Sequence, residues 1–456
     1  MLHDTIAAIA TPLGEAGLAI VRVSGRDALA VADRCFVPGG KSAPKPSLAS
    51  SHTVHFGHVL LRGRVVDEVL LSVLRAPRTF TREDTVEISC HGGLLPAKLV
   101  LDALLAGGAR LAEPGEFTRR AFLNGRLDLA QAEAVADVIH SRTELALAAA
   151  NEQLTGRLSR QINGLRENLL QVLAHVEAHI DFPEEDIAPD SRQQLLERLE
   201  GTVAGMDTLL RTADEGQILR RGLRAAIVGR PNVGKSSLLN QLLGHDRAIV
   251  SPLPGTTRDT IAETANIRGL PVVFVDTAGL RDTHDTLEHE GVRRSRETAT
   301  RADLILHVLD GSEPFEPEDE RYLSEFGARK RVLVCNKSDL PWRLVLPAGL
   351  TDPQVRVSCR TSDGIESLKD AIKALVWTGA VGAEMLEVMI NSRHQDALAR
   401  AREATTRTLA ALREDLSLDL VAVDLRIAVN ALGEVVGKTF TDDLLDLIFS
   451  QFCLGK

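Results

Sequence analysis

At 456 residues the chain exceeds what one hydrophobic core supports, so two or three domains are expected. A formal net charge of −10 excludes a general electrostatic clamp on nucleic acid, which needs a basic surface, while leaving room for a local basic patch. Five scattered cysteines (Cys35, Cys90, Cys335, Cys359 and Cys453) without a C-x-x-C pair fit neither a disulfide framework nor a thiolate zinc site. The N-terminus lacks a basic region, and nowhere do roughly 18 apolar residues run together. A cytoplasmic protein with no membrane contact is expected.

Residues 1–118 read as a small α+β domain. The runs LAIVRVSG, VLLSVLRAP and DTVEISCHGG are strand-like and end in Gly or Pro, and PAKLVLDALLAGGAR is a helix closed by glycines. From 119 to 215 apolar residues recur at helical spacing, as in LDLAQAEAVADVIHSRTELALAAANEQL, interrupted only by DFPEEDIAPDS. At LRAAIVGRPNVGKSS strands begin to alternate with helices. PVVFVDTAG, ADLILHVLDGS and KRVLVCNKSD each leave polar residues at the C-terminal end, which predicts a doubly wound parallel sheet over 216–378. The pattern from 379 to 456 is helical again, so an α-helical domain (119–215 with 379–456) is expected to carry the α/β domain as an insertion. The overall class is multidomain α/β.

GRPNVGKSS, between a strand and the helix SLLNQLLG, has the context of a phosphate-binding loop. Backbone amides from Asn232, Val233 and Gly234 through Ser237 face phosphates there; Lys235 reaches the β- and γ-phosphates, and Ser236 places a hydroxyl on Mg2+. PGTTRD offers Thr257 as a switch residue for Mg2+ and γ-phosphate. DTAG (Asp276, Thr277, Ala278, Gly279) ends a strand, so that Asp276 can hold the magnesium's water and the Gly279 amide can sense the γ-phosphate. NKSD follows with Asn336, Lys337 and Asp339. The Asp339 carboxylate accepts two hydrogen bonds from guanine that adenine cannot supply, and Ser358, Cys359 and Arg360 complete the base pocket. These motifs in order predict a GTPase.

A glutamine directly after D-x-x-G would orient the attacking water in Ras-like enzymes, but here that position is Leu280. Another polar residue in RDTHDTLEHEG must act instead. Asn232 serves either as a turn residue or as a ligand for a monovalent cation that neutralises phosphate charge.

These motifs, with RAFLNGRLDLAQAEAVADVI, HGG after a strand, DFPEED and the terminal FCLGK, resemble the bacterial tRNA modification GTPases of the MnmE (TrmE) family along the whole chain. The resemblance implies an N-terminal domain that dimerises and binds 5-formyltetrahydrofolate or 5,10-methylenetetrahydrofolate through Arg22, Glu87, Arg126 and Lys456. It implies a K+ site from Asn232, Thr256 and the carbonyls of Ser251 and Leu253, and makes Glu288 the catalytic carboxylate. It further implies a homodimer that joins the flavin-dependent partner MnmG (GidA), whose FAD is not carried by this chain, in a heterotetramer. The implied activity is modification of carbon 5 of the wobble uridine of tRNA, with GTP as a switch and Cys453 in the modification step.

Two other readings compete. A ribosome-assembly or translation GTPase would share the nucleotide motifs but has no use for FCLGK. A prenylated GTPase would need a different last residue than Lys456.

Overall fold

In the N-terminal third, apolar residues at every second position drive strands onto one core, while helices of mixed Leu and Ala cover it. The elements are β1 (Ile6–Ile9), β2 (Leu18–Ser24), α1 (Ala28–Cys35), β3 (Phe36–Pro38), β4 (Thr53–Leu61), β5 (Arg64–Leu74), β6 (Thr85–His91), α2 (Leu94–Ala106) and β7 (Arg110–Leu111). The helices α3 (Glu116–Leu123), α4 (Leu129–His140), α5 (Glu144–Leu154), α6 (Arg157–Asp181), α7 (Pro189–Arg211) and α8 (Ala213–Arg221) follow. Then come β8 (Leu223–Val228), α9 (Lys235–Leu243), β9 (Glu263–Ile267), β10 (Leu270–Phe274), β11 (Leu304–Asp310), α10 (Pro317–Glu325), β12 (Lys330–Asn336), β13 (Gln354–Arg356) and α11 (Ile365–Val376). The chain closes with α12 (Ser392–Arg413), α13 (Leu418–Val436) and α14 (Asp442–Phe449). The computed structural model describes residues 4–40, 42–181, 189–244, 263–275, 302–327, 329–377 and 390–456.

Contacts gather into two compact units. The first is Met1–Ala136, Ser159–Ala174 and Leu425–Lys456; the second is Asp137–Leu158 and His175–Asp424. The first unit holds a sheet ordered β3-β4-β5-β6-β2-β1-β7, antiparallel except for the parallel β1–β7 pair. Pairing of β2 with β6 sets Arg22 directly opposite Glu87. α1 and α2 cover one face with Val31, Ala97, Val100 and Leu104 in a core shared with Val21, Val73 and Ile88. The fully buried Arg120 of α3 is held by Asp4 at 2.7 Å, Glu116 at 3.0 Å and Glu83 at 3.3 Å, the paired arrangement that a buried charge requires.

The second unit contains the doubly wound sheet, ordered β13-β12-β11-β8-β10-β9 and parallel except for β9, which pairs antiparallel with β10. Every residue of β11 (LILHVLD) is buried, as a central strand covered on both faces demands. β8, β11 and β12 therefore end side by side at one edge of the sheet, where the loops that follow them converge.

Candidate nucleotide site and C-terminal tail

The loop after β8 is shaped by residues that tolerate left-handed backbone. Asn232 has φ of +61° and Gly234 φ of +100°. A Cβ at Gly234 would stand 2.2 Å from Asn336 Nδ2, so only glycine lets the two loops close on each other. The chain then enters α9 at Lys235, leaving the first amides of the helix without carbonyl partners in the helix and the positive end of its dipole facing the loop.

Lys235 Nζ donates to the carbonyls of Gly229 at 2.8 Å and Arg230 at 2.6 Å. Burial holds its pKa below the ordinary lysine value, against the opposing pull of Glu318. Asn336 joins the two halves of the site. Its Nδ2 donates to the Val233 carbonyl at 2.8 Å, while its Oδ1 accepts from the Cys359 amide at 3.2 Å. Asp339 Oδ1 accepts the Ser358 hydroxyl at 2.7 Å; the exposed Arg360 guanidinium lies 3.8 Å from Oδ2. Gln241 of α9 donates to the Cys359 carbonyl at 2.9 Å, tying the base motif to the phosphate-loop helix. Ser236 and Ser237 sit on the first turn of α9.

Sequence reasoning had missed two partners here. Lys337, with φ of +63°, is held by the Asp310 carboxylate at the end of β11. Burial pushes the Asp310 carboxyl up, but hydrogen bonds from Lys337 and Ser312 outweigh it and hold it below the usual carboxylate range. The second is Arg230, within the phosphate loop, whose guanidinium is surrounded by Glu313, Glu316 and Asp319. The acidic run EPEDE after GSEPF was its only visible signal. Ser251, Leu253, Thr256, Thr257, Asp276, Thr277, Ala278, Gly279 and Glu288 lie outside the described residues, as does most of DFPEED.

In the first unit the C-terminal tail is drawn back onto the sheet. Gly455 has φ of +88°, and a Cβ there would be 2.5 Å from the Ile9 carbonyl. Arg22 donates to Glu87 at 2.8 Å and to the Gly455 carbonyl at 3.4 Å, with its guanidinium 5.6 Å from the Phe117 ring centre. Phe117 and Gly115 amides at the start of α3 donate to the carbonyls of Lys456 (3.2 Å) and Cys453 (3.5 Å). Burial and the nearby Arg22 lower the Lys456 pKa, opposed by Glu87 and Cys453. Three of the expected residues, Arg22, Glu87 and Lys456, thus meet, and the Cys453 thiol is exposed beside them. Arg126 stands one aromatic layer away: it donates to the Thr79 carbonyl and lies 5.1 Å from the centre of the Phe80 ring, which packs against the cluster containing Phe117. The exposed His91 ring lies with Nδ1 2.7 Å from Asp67 Oδ1, and the His91 amide donates to Asp67 Oδ2 at 2.8 Å.

A loop of the phosphate-binding pattern at a helix N-terminus, tied through Asn336 to the loop that carries Ser358 and Cys359, is the arrangement of a P-loop GTPase. Comparison with known proteins carries this further. The family model for the "GTP-binding protein TrmE N-terminus" matches residues 5–126, and that for the "MnmE helical domain" matches residues 129–453. The chain is 49% identical to the tRNA modification GTPase MnmE of Geobacillus kaustophilus over 461 residues, covering 99% of each. It is 47% identical to those of Bacillus velezensis and Bacillus subtilis, covering 99% of this chain and 100% of each relative. The chain belongs to the MnmE (TrmE) family of tRNA modification GTPases. Among solved structures, the G domain of T. maritima FeoB is 26% identical, covering 34% of this chain and 98% of its own, with a TM-score of 0.25. Aquifex aeolicus Era bound to GDP.AlF4- is 28% identical, covering 40% of this chain and 66% of its own, with a TM-score of 0.26.

Proposed function

We propose that this GTPase is the GTP-hydrolysing component of a cytoplasmic complex that adds an aminomethyl or carboxymethylaminomethyl group to carbon 5 of the wobble uridine of tRNA. The observation that carries the reading is the tail: Cys453 and Lys456 come to an Arg22–Glu87 pair in the N-terminal sheet, which a plain nucleotide switch has no need to build. Two cations and one carboxylate gathered at the tail suit a folate, whose glutamate portion is anionic and whose pterin ring donates hydrogen bonds to a carboxylate. Arg22, Glu87 and Lys456 would hold a tetrahydrofolate there, and Arg126, with its guanidinium over Phe80, would close the far side. When bound, the folate supplies the one-carbon unit, and the flavin of an MnmG-type partner the redox chemistry.

At the nucleotide site, Gly234 and the first turn of α9 cradle the phosphates, and Asp339 reads the base. Ser236 and Thr257 would hold Mg2+, and Asn232, Thr256 and the carbonyls of Ser251 and Leu253 would hold K+. A monovalent cation there supplies the positive charge that an arginine finger brings elsewhere. Glu288 would orient the attacking water in place of the glutamine that Leu280 replaces. The domain layout we adopt is 1–118 for folate binding and dimerisation, 119–215 with 379–456 for the helical domain, and 216–378 for the inserted G domain. The working assembly is a homodimer joined to two MnmG-type subunits.

The test is reconstitution: protein, flavin partner, GTP, reduced folate and unmodified tRNA are incubated, and the nucleosides are separated. Appearance of a uridine carrying the new substituent, dependent on both GTP and folate, is the expected result. GTP turnover with unchanged nucleosides in every combination would refute the reading in favour of a ribosomal binding switch.

A further inference from the structure

Arg230 is the second residue of the phosphate loop, yet its side chain points away from the phosphate cradle. It is buried, and its Nε donates to Asp319 Oδ1 at 3.0 Å. Nη1 lies 2.8 Å from Glu316 Oε2 and Nη2 3.4 Å from Glu313 Oε2. Asp319 is itself fixed: its other oxygen accepts the Glu316 amide at 3.1 Å and closes the capping box of α10. Its side chain is 1% exposed, so the Arg230–Asp319 link is shielded from solvent and salt.

The backbone of the same residue faces the site, since the Arg230 carbonyl accepts Lys235 Nζ at 2.6 Å. Pro231 follows, which excludes helical backbone at Arg230 and narrows its carbonyl direction. One residue is therefore anchored at its guanidinium to the start of α10 and holds the phosphate-binding lysine with its carbonyl. With three carboxylates around it, the guanidinium is already neutralised and is not a phosphate ligand.

We propose that Arg230 is a positioning residue for GTP: its clamp on the N-terminus of α10 sets the first turn of the phosphate loop, and through it the place of Lys235, before nucleotide arrives. The clamp acts on phosphate binding and not on the base, because Asn336, Ser358 and Asp339 are held by bonds of their own.

The test compares R230Q and R230K with the unaltered full-length protein. Equilibrium dissociation constants for GTP and GDP, competition by guanosine, steady-state kcat and KM, and thermal melting are measured. R230Q is expected to weaken GTP and GDP about tenfold, the effect of a partly buried charged hydrogen bond. The guanosine constant should stay within about twofold, a difference too small to count as a lost interaction, while KM rises with the dissociation constant. R230K, which reaches one carboxylate without the fork, should recover at least about threefold of the loss. Unchanged GTP affinity in R230Q, a loss shared equally by guanosine, or a fall in kcat at constant KM would overturn the proposal. Should R230Q melt before it can be assayed, the double variant E313Q/E316Q leaves Arg230 and Asp319 in place. It is then expected to weaken GTP about threefold, from loss of two half-exposed partners; unaltered affinity there would overturn the proposal as well.

Discussion

His307 is a titratable group buried in the middle of a sheet, and its consequence for stability can be worked through. It sits on β11 at 0% exposure, paired in register with Val228 and Leu333, with its ring 5.7 Å from that of Tyr322. Neither ring nitrogen has a hydrogen-bond partner among the described residues. Burial is the main cause that drives its pKa down to about 3, helped by the Arg331 guanidinium and opposed by Asp352, which accepts from Arg331 at 2.6 Å. The folded protein thus keeps this imidazole neutral, while the unfolded chain protonates it below pH 6.5. A depressed folded pKa leaves stability intact above pH 6.5 and removes it as pH falls towards 3. At pH 5 the difference is about 1.5 pH units, or about 2 kcal/mol. His307→Leu, similar in volume and without nitrogens to desolvate, should raise stability at pH 7 by about 1–2 kcal/mol. Relative to the parent it should gain a further ~2 kcal/mol at pH 5. Urea unfolding followed by tryptophan fluorescence checks this directly, because both tryptophans of the chain, Trp342 and Trp377, lie in the same compact unit as His307. If parent and variant lose the same stability between pH 7 and pH 5, the imidazole is not the acid-sensitive group and the reasoning fails.

Gly234→Ala places a methyl group 2.2 Å from Asn336 Nδ2 and forces alanine to φ of +100°. Left-handed strain and loss of the Asn336–Val233 bond together amount to about 2–4 kcal/mol, so isothermal titration should show GTP affinity down roughly 30-fold or more. Arg120→Met removes the buried cation shared by Asp4, Glu83 and Glu116, of which Glu116 keeps Arg110 at 2.7 Å and Asp4 keeps it at 2.7 Å. The first unit should lose about 3–5 kcal/mol, read as earlier loss of protection in hydrogen exchange across β1 and β2 while the second unit is unaffected. Cys453→Ser alters an exposed thiol in the unit that does not contain the phosphate loop. Its GTP turnover should match the parent within about twofold while tRNA modification falls at least tenfold; equal loss of both would contradict separate roles.

What could be read from sequence was what neighbouring residues determine. The strands LAIVRVS, LILHVLD and KRVLVCN and the helix after GRPNVGKS all declare themselves through spacing and form where expected, while the closing helix is confined to Asp442–Phe449. Among the described residues, GRPNVGKSS and NKSD are local in the same way, since each follows directly on the end of one strand. Partners far apart in the chain were not. Arg230 finds its carboxylates 83 to 89 residues later, at Glu313 and Asp319, and nothing in EPEDE marks it as an anchor instead of a solvated helix start. Asp310 ends β11, and its partner Lys337 comes only after the next strand. Arg126, which the resemblance groups with Arg22, lies over the Phe80 ring, while Arg22 lies over that of Phe117.

The same bonds explain how the nucleotide site holds its form. Lys235 rests on the carbonyls of Gly229 and Arg230, so its charge is compensated by backbone dipoles when no phosphate is near. Burial depresses its pKa, with Glu318 pulling the other way. Asn336 holds the two loops at fixed places, its Nδ2 on the Val233 carbonyl and its Oδ1 on the Cys359 amide. Gly234 permits this because the space a Cβ would take is the space in which the Asn336 amide sits.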